Sequence, residues 1–277
     1  MSDLSTPLPP VGKYINISFP APQVVLFTFN RPEKLNAIDE VGAAELSLIW
    51  PWFDKEPKLL VAIVTGAGRA FCVGADLNAW ASRQAGRSEE LPTYTKEDAS
   101  QQLLSRRLGK KPVIAAVNGP AHGGGCEMVV NCDLVVASNT AEFSLPEVKR
   151  GIAPIGGAMP RLTRTLGLQR AMEMCLTGRR VPAQEAYQWG LVNRVVEPGK
   201  VVEAAVEYAM TIASFSPDAI ILARSGVRQS WIEADVDDCV ETTYHGPFAE
   251  VRKGENMLEG LSAFGEKRKP VWKPSRL

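Results

Sequence analysis

The stretch VIAAVNGPAHGGGCEMVVNCDLVVA, residues 113–137, reads as apolar run, glycine-rich turn, short helical segment and second apolar run. Val113 to Val117 and Leu134 to Ala137 are short and almost wholly apolar, as strands covered on both faces are. Between them Gly119, Gly123, Gly124 and Gly125 break the regular pattern, and Glu127 to Asn131 reads as helix. Strand, turn, helix, strand is the repeating unit of an α/β layered architecture with parallel strands.

The same alternation extends towards the N-terminus. Tyr14 to Ser18 and Val24 to Phe29 are β-rich runs parted by Pro20 and Pro22, suggesting a hairpin or adjacent strands. Leu59 to Thr65 is a third apolar strand, closed by Gly66 and Gly68, and Ile38 to Phe53 has helical spacing that ends near Pro51. Towards the C-terminus the pattern changes. From Pro160 onward the strand signal disappears, and Arg161 to Leu176, Pro182 to Trp189, Val201 to Ser214 and Pro217 to Ile232 read as helices. The organisation expected is a flexible segment 1–12, an α/β core 13–200, and a helical region with a tail, 201–277. The polar stretch Arg83 to Asp98 is a candidate mobile surface loop.

A chain of 277 residues, 45% of them hydrophobic, can bury a substantial core. Lys plus Arg equals Asp plus Glu at 31 each, so no positive field is available to hold nucleic acid or an anionic membrane, and any phosphate binding must be local. The five cysteines are odd in number and widely spaced, which reads as reduced thiols in an intracellular protein. His122 and His245 are the only histidines, and no Cys or His pair has a zinc spacing, so no metal is expected. Met1 to Gly12 lacks the apolar core of a secretory signal, and no apolar run reaches membrane-spanning length. The chain stops at Ser275-Arg276-Leu277, similar to the Ser-Lys-Leu address read by the peroxisomal import receptor. Arg268-Lys269-Pro270 and Lys273-Pro274 suggest an exposed, flexible approach to it. The expected location is the peroxisome, otherwise the cytoplasm.

Glycines that open a helix leave backbone amides free, and the helix dipole favours an anion there. On spacing alone, Gly119 to Glu127 serves either anion binding or close packing. It is not the G-x-G-x-x-G of a dinucleotide fold, no tyrosine has a lysine four residues later as short-chain dehydrogenases require, and no serine lies in a G-x-S-x-G elbow. Glu127 alone is equally a first-turn acid favoured by the dipole, and Glu147 alone a surface charge before Lys149 and Arg150.

Taken in order, four segments resemble the enoyl-CoA hydratase/isomerase (crotonase) family across nearly the whole chain. Arg31-Pro32-Glu33-Lys34-Leu35-Asn36-Ala37 resembles its early CoA-binding segment, and Gly68 to Leu77 (GRAFCVGADL) its first oxyanion-hole segment. Gly119 to Glu127 resembles the second, and Ser144 to Val148 with Gly151 to Pro154, Gly156 and Gly157 the second catalytic segment. The resemblance implies a crotonase-like ββα spiral core with a C-terminal helical trimerisation region, and a homotrimer or hexamer.

It also implies oxyanion donors at the N–H groups of Ala75 and Gly124, with Glu127 as water-activating base and Glu147 as acid. Contacts to CoA or acyl are implied at Lys34, Ala37, Ala70, Asp76, Leu77, Gly123 and Lys267. The activity implied is reversible hydration of a trans-2-enoyl-CoA, with acyl-CoA as partner and no separate cofactor. Isomerisation, dehydration of a hydroxyacyl-CoA, or a silent acyl-CoA-binding protein are the rivals. His122 is assigned no catalytic role, and Trp80 suits the acyl tunnel or the core equally.

Overall fold

In the computed structural model, which describes residues 4–84 and 104–277, the chain begins with β1 (Ile15–Ala21) and β2 (Val24–Phe29), followed by α1 (Glu40–Lys55), β3 (Val61–Gly66) and α2 (Leu77–Gln84). Next come β4 (Val113–Val117), β5 (Ala121–His122), α3 (Gly124–Asn131), β6 (Leu134–Ser138) and β7 (Glu142–Ser144). Then follow α4 (Ala158–Leu166), α5 (Leu168–Thr177), β8 (Val181–Pro182), α6 (Ala183–Gln188) and β9 (Arg194–Val196). α7 (Val201–Ala213), α8 (Pro217–Gln229), α9 (Val236–Thr243), α10 (Ala249–Arg252) and α11 (Glu255–Gly265) complete the chain. Of the candidate loop Arg83 to Asp98, all but the first two residues lie outside the described residues.

The main sheet has the order β1-β2-β3-β4-β6-β9, parallel except for the β1/β2 hairpin, and β5-β7-β8 forms a small second sheet. Alternation along the strands builds two cores. Phe27, Phe29, Ala62, Val64, Ala115, Val117 and Val135 face α1 and α3, while Val24, Val61, Ile63, Ile114, Ala116 and Val136 face α7. Every residue of β3 and β4 is therefore buried, as their unbroken apolar runs require. α7 packs on the sheet, so the segment 201–277 begins as part of this core.

Four expectations are corrected. Strands persist past Pro160: β8 and β9 are two and three residues long, too short to carry a periodicity, and pairing with β7 and β6 defines them. The helix expected over Arg161 to Leu176 is two, α4 and α5, parted at Gly167 where φ is +84°. Pro51 lies inside α1 rather than ending it. It forgoes one backbone bond, and the buried Ile49, Trp50, Trp52 and Phe53 around it hold the helix together. Residues 4–12 are pinned rather than flexible: Leu4 and Val11 pack on the core, and Thr6 donates from its N–H and hydroxyl to Glu56 Oε2 at 2.7 Å.

A buried ionic knot joins the C-terminal helices to the sheet. Asp133 accepts from Arg224 Nε at 2.9 Å, from Arg228 Nη2 at 2.8 Å and from the Val113 N–H at 2.8 Å. Burial disfavours its charge, and the two guanidiniums outweigh burial, holding its pKa below the usual range. Removing one partner of such a buried set costs about 3–5 kcal/mol.

Candidate active site

The site forms where the chain leaves the C-terminal ends of β3 and β4, the position at which parallel α/β sheets bind ligands. Three extended segments are zipped together there. The Ile38 N–H donates to Gly74 O at 2.8 Å, the Asp76 N–H to Ile38 O at 2.8 Å, and the His122 N–H to Cys72 O at 2.9 Å. The Gly123 N–H donates to Ser144 O at 2.9 Å, joining the second catalytic segment.

Asn36 locks this arrangement from below. Wholly buried, it donates from Nδ2 to Ala70 O at 2.8 Å and to Ala67 O at 3.0 Å, and it accepts the Arg31 N–H at 2.9 Å. The sequence pattern included Asn36 but gave it no role, because its carbonyl partners lie more than thirty residues away.

The zipper brings Ala75 and Gly124 together. A methyl built on Gly74 would stand 2.7 Å from Gly124 N, and one on Gly124 would stand 3.9 Å from Ala75 N. Gly74 and Gly123 have φ of +88° and +53°, which turns the chain sharply at both places. Among the described residues the N–H groups of Ala75 and Gly124 donate to no partner. Ala75 is exposed and Gly124 half-buried, and Gly124 opens α3. Two free donors beside a helix N-terminus can stabilise negative charge on an oxygen.

Both glutamates border this turn. A methyl on Gly123 would lie 3.2 Å from Glu147 Oε1, so Glu147 stands over the donor loop, and its Oε2 is buried without a partner. Glu127, on the first turn of α3, accepts the Ala158 N–H on Oε1 at 3.2 Å and abuts Gly156. Burial raises its pKa to about 7, and Glu147 adds repulsion, against the Ala158 and Gly156 N–H groups, which oppose the rise. Burial likewise raises Glu147, with Arg150 opposing.

The remaining residues divide. Ala37 and Ala70 are buried, and the Ala70 carbonyl is taken by Asn36 and by Asn118 Nδ2 at 3.2 Å. Asp76 caps α2 by accepting from Asn78 and Ala79, and pairs with Arg31 at 2.9 Å, so its side chain has a structural employment. Backbone donors and Arg31 hold its pKa low. Lys34 and Leu77 are exposed. Lys267 is exposed too, and the structure gives its side chain no contact with the glutamates. His122 Nε2 stands 3.1 Å from Glu142 and is driven by burial towards the neutral form. Trp80 is half-buried on α2. Among the described residues no cluster of His, Cys, Asp or Glu is arranged to hold a metal ion, and no helix is long and apolar enough to cross a membrane.

Two carboxyls with raised pKa values, one of them over a loop with two free backbone donors, are the equipment for moving protons around an enolate. The family model for enoyl-CoA hydratase/isomerase matches residues 21–275. The chain belongs to the enoyl-CoA hydratase/isomerase family. It is 46% identical over 276 residues to a mevalonyl-coenzyme A hydratase, sidH, of Aspergillus fumigatus, covering 99% of this chain and 100% of that protein. A mevalonyl-coenzyme A hydratase of Beauveria bassiana is 44% identical over 278 residues, covering 98% of this chain and 99% of the relative. Among solved structures, an enoyl-CoA hydratase from Mycobacterium tuberculosis superposes with a TM-score of 0.85 at 32% identity, covering 95% of this chain and all of that one. The fold is that of the crotonases, and the chain is a hydro-lyase of CoA thioesters.

Proposed function

We propose that this hydratase interconverts mevalonyl-CoA and its α,β-unsaturated dehydration product. Mevalonyl-CoA is a 3-hydroxy-3-methyl thioester with a second hydroxyl at C5, so loss of water between C2 and C3 leaves a branched enoyl thioester that keeps the C5 hydroxyl. The observation that carries the chemistry is Glu147 standing over the loop that bears the free N–H groups of Ala75 and Gly124, with Glu127 on the first turn of the helix that Gly124 opens. Two relatives bearing the mevalonyl name, each aligned over nearly its whole length, support the substrate.

In the dehydration direction the thioester oxygen accepts from Ala75 and Gly124. Glu147 removes the C2 proton, the electron pair forms the C2–C3 double bond, and the C3–O bond breaks. Glu127 donates a proton, so the hydroxyl leaves as water. One proton enters the pair and one leaves it, and hydration is the reverse with Glu127 as base. A Glu127 pKa pushed up to about 7 suits both roles near neutral pH. Lys34 and Lys267 remain the candidates for the CoA phosphates, and no further cofactor enters.

The test is absorbance of the conjugated enoyl thioester. Mevalonyl-CoA should gain it on addition of enzyme, and the branched 5-hydroxy enoyl-CoA should be hydrated with a kcat/KM at least ~10-fold above straight-chain trans-2-enoyl-CoA, since a matched polar group discriminates by such factors or more. Preference for straight chains would replace the substrate, while binding without any absorbance change would leave an isomerase or a silent protein.

We also read the chain as a homotrimer or hexamer. Leu168, Met172 and Leu176, spaced four apart on α5, are 50%, 49% and 68% exposed, and Phe264 on α11 is 87% exposed, an apolar surface that a second copy would cover. Sedimentation showing only the 30.1 kDa chain would refute this. Ser275-Arg276-Leu277 supports delivery to the peroxisome, and the receptor binding described next tests it.

A further inference from the structure

The C-terminal tripeptide does not lead a free life. Trp272 to Ser275 lie against the body at the end of the sheet where β3 and β4 begin, in a cleft lined by Lys58, Leu60, Lys110, Pro217 and Ile221. Roughly 16 Å of strand separates this end from the active site. The expectation of a flexible approach to the tripeptide is therefore corrected.

The tail is held along its length. Trp272 Nε1 donates to Ser214 O at 2.9 Å, and its ring packs over Gly260. The buried Asn256 grips the Lys273 backbone twice, accepting its N–H at 2.8 Å and donating to its carbonyl at 3.0 Å. Asn256 is itself fixed by the buried Asp218 at 2.7 Å, and the Ser275 hydroxyl donates to the other oxygen of Asp218. Arg276 pairs with Glu255 at 2.8 Å, Lys273 pairs with the same carboxylate, and the terminal carboxylate of Leu277 accepts from Lys110 Nζ. Ser275 and Leu277 are half-buried.

We propose that this cleft is a docking site for the chain's own C-terminus, and that the docked tail withholds the import address until it is released. This rests on reading Ser275-Arg276-Leu277 as that address. A receptor that captures a C-terminal peptide must grip its carboxylate and side chains, and here Lys110, Asp218 and Glu255 already engage the carboxylate, Ser275 and Arg276. The two engagements are mutually exclusive, so the apparent affinity falls by the fraction of chains with an undocked tail. An undocked population of about 1–10% weakens binding ~10- to 100-fold.

The experiment compares three probes for binding to the purified peptide-binding domain of the peroxisomal import receptor: a synthetic peptide of residues 268–277, the full chain, and the full chain carrying Lys110→Ala with Glu255→Ala. Lys110 is half-buried and Glu255 exposed, both at the opposite end of the sheet from the catalytic glutamates, so turnover should be unchanged. The expected result is a tight peptide, a wild-type chain ~10- to 100-fold weaker, and a double variant recovered to within ~3-fold of the peptide. In parallel, carboxypeptidase should trim Leu277 from the double variant faster than from wild type. Equal affinity of peptide and wild type, or equal trimming rates, overturns the docked state while leaving the address intact. A peptide that the receptor does not bind overturns the address and with it the proposal.

Discussion

Glu127→Gln should lower turnover by ~10²- to 10⁴-fold, the range typical for one positioned acid or base, while affinity for a CoA thioester stays within ~3-fold. The same substitution should make the protein more stable at pH 8. Burial lifts the Glu127 pKa to about 7 in the folded chain from its ordinary 4.5, so between those values the folded state binds more protons than the unfolded state. Stability contributed by this group therefore falls as pH rises through that window, and the penalty is complete above it. Glutamine carries no charge to desolvate, so at pH 8 it should gain on the order of 1–3 kcal/mol, and at pH 4.5 almost nothing. Thermal unfolding at the two pH values reads this directly. Glu147→Gln should give a comparable loss of turnover, since its partnerless Oε2 has no evident structural duty. Unchanged turnover in both variants would sink the two-carboxylate mechanism.

Gly74→Ala should lower kcat by about 100-fold or more, the cost of disabling one oxyanion donor. The added methyl would sit 2.7 Å from Gly124 N and 3.0 Å from His122 O, on top of the donor itself. It would also force an alanine to φ of +88°, and the two effects must be separated. Gly199→Ala is the control: its φ is +82°, nothing lies within 4 Å of the added methyl, and it is far from the glutamates in sequence. It should lose stability of about 1 kcal/mol with turnover intact. Gly124→Ala is a milder probe, its methyl meeting Gly74 Cα at 3.5 Å and Ala75 N at 3.9 Å in ordinary contact, so the fold should tolerate it. Turnover within ~3-fold of wild type in both Gly74→Ala and Gly124→Ala would remove the oxyanion assignment.

Much of the site was legible in the chain. The glycine turn before Glu127 marked where amides would be free, the resemblance to the crotonases implied the same for the GRAFCVGADL segment, and the zipper between residues 38, 72–76 and 122 brings the two together. The parts that escaped are those whose partners lie far off in sequence. Nothing local to Asn36 shows that its amide will hold the carbonyls of Ala67 and Ala70, and nothing local to Glu127 shows that Gly156 and Ala158 will close on it. Asp76 has a role that its place in a binding segment did not show, as the cap of α2 and the partner of Arg31.

By itself, the sequence determined the long elements and the chemical inventory: unbroken apolar runs such as Val113 to Val117 make strands buried on both faces, while the pairing of two glutamates with two oxyanion amides was implied by the resemblance of the ordered segments to the crotonases. Periodicity needs length, so only tertiary pairing could decide that Arg194 to Val196 is the sixth strand of the sheet. Burial and distant partners are likewise properties of the assembled fold: burial lifts the Glu127 pKa to about 7, two arginines keep Asp133 ionised against its burial, and hydrogen bonds to Asn256 hold the tail beyond Pro270. The energy of a charge depends on how much water surrounds it and which charges face it, and neither is written in the order of residues.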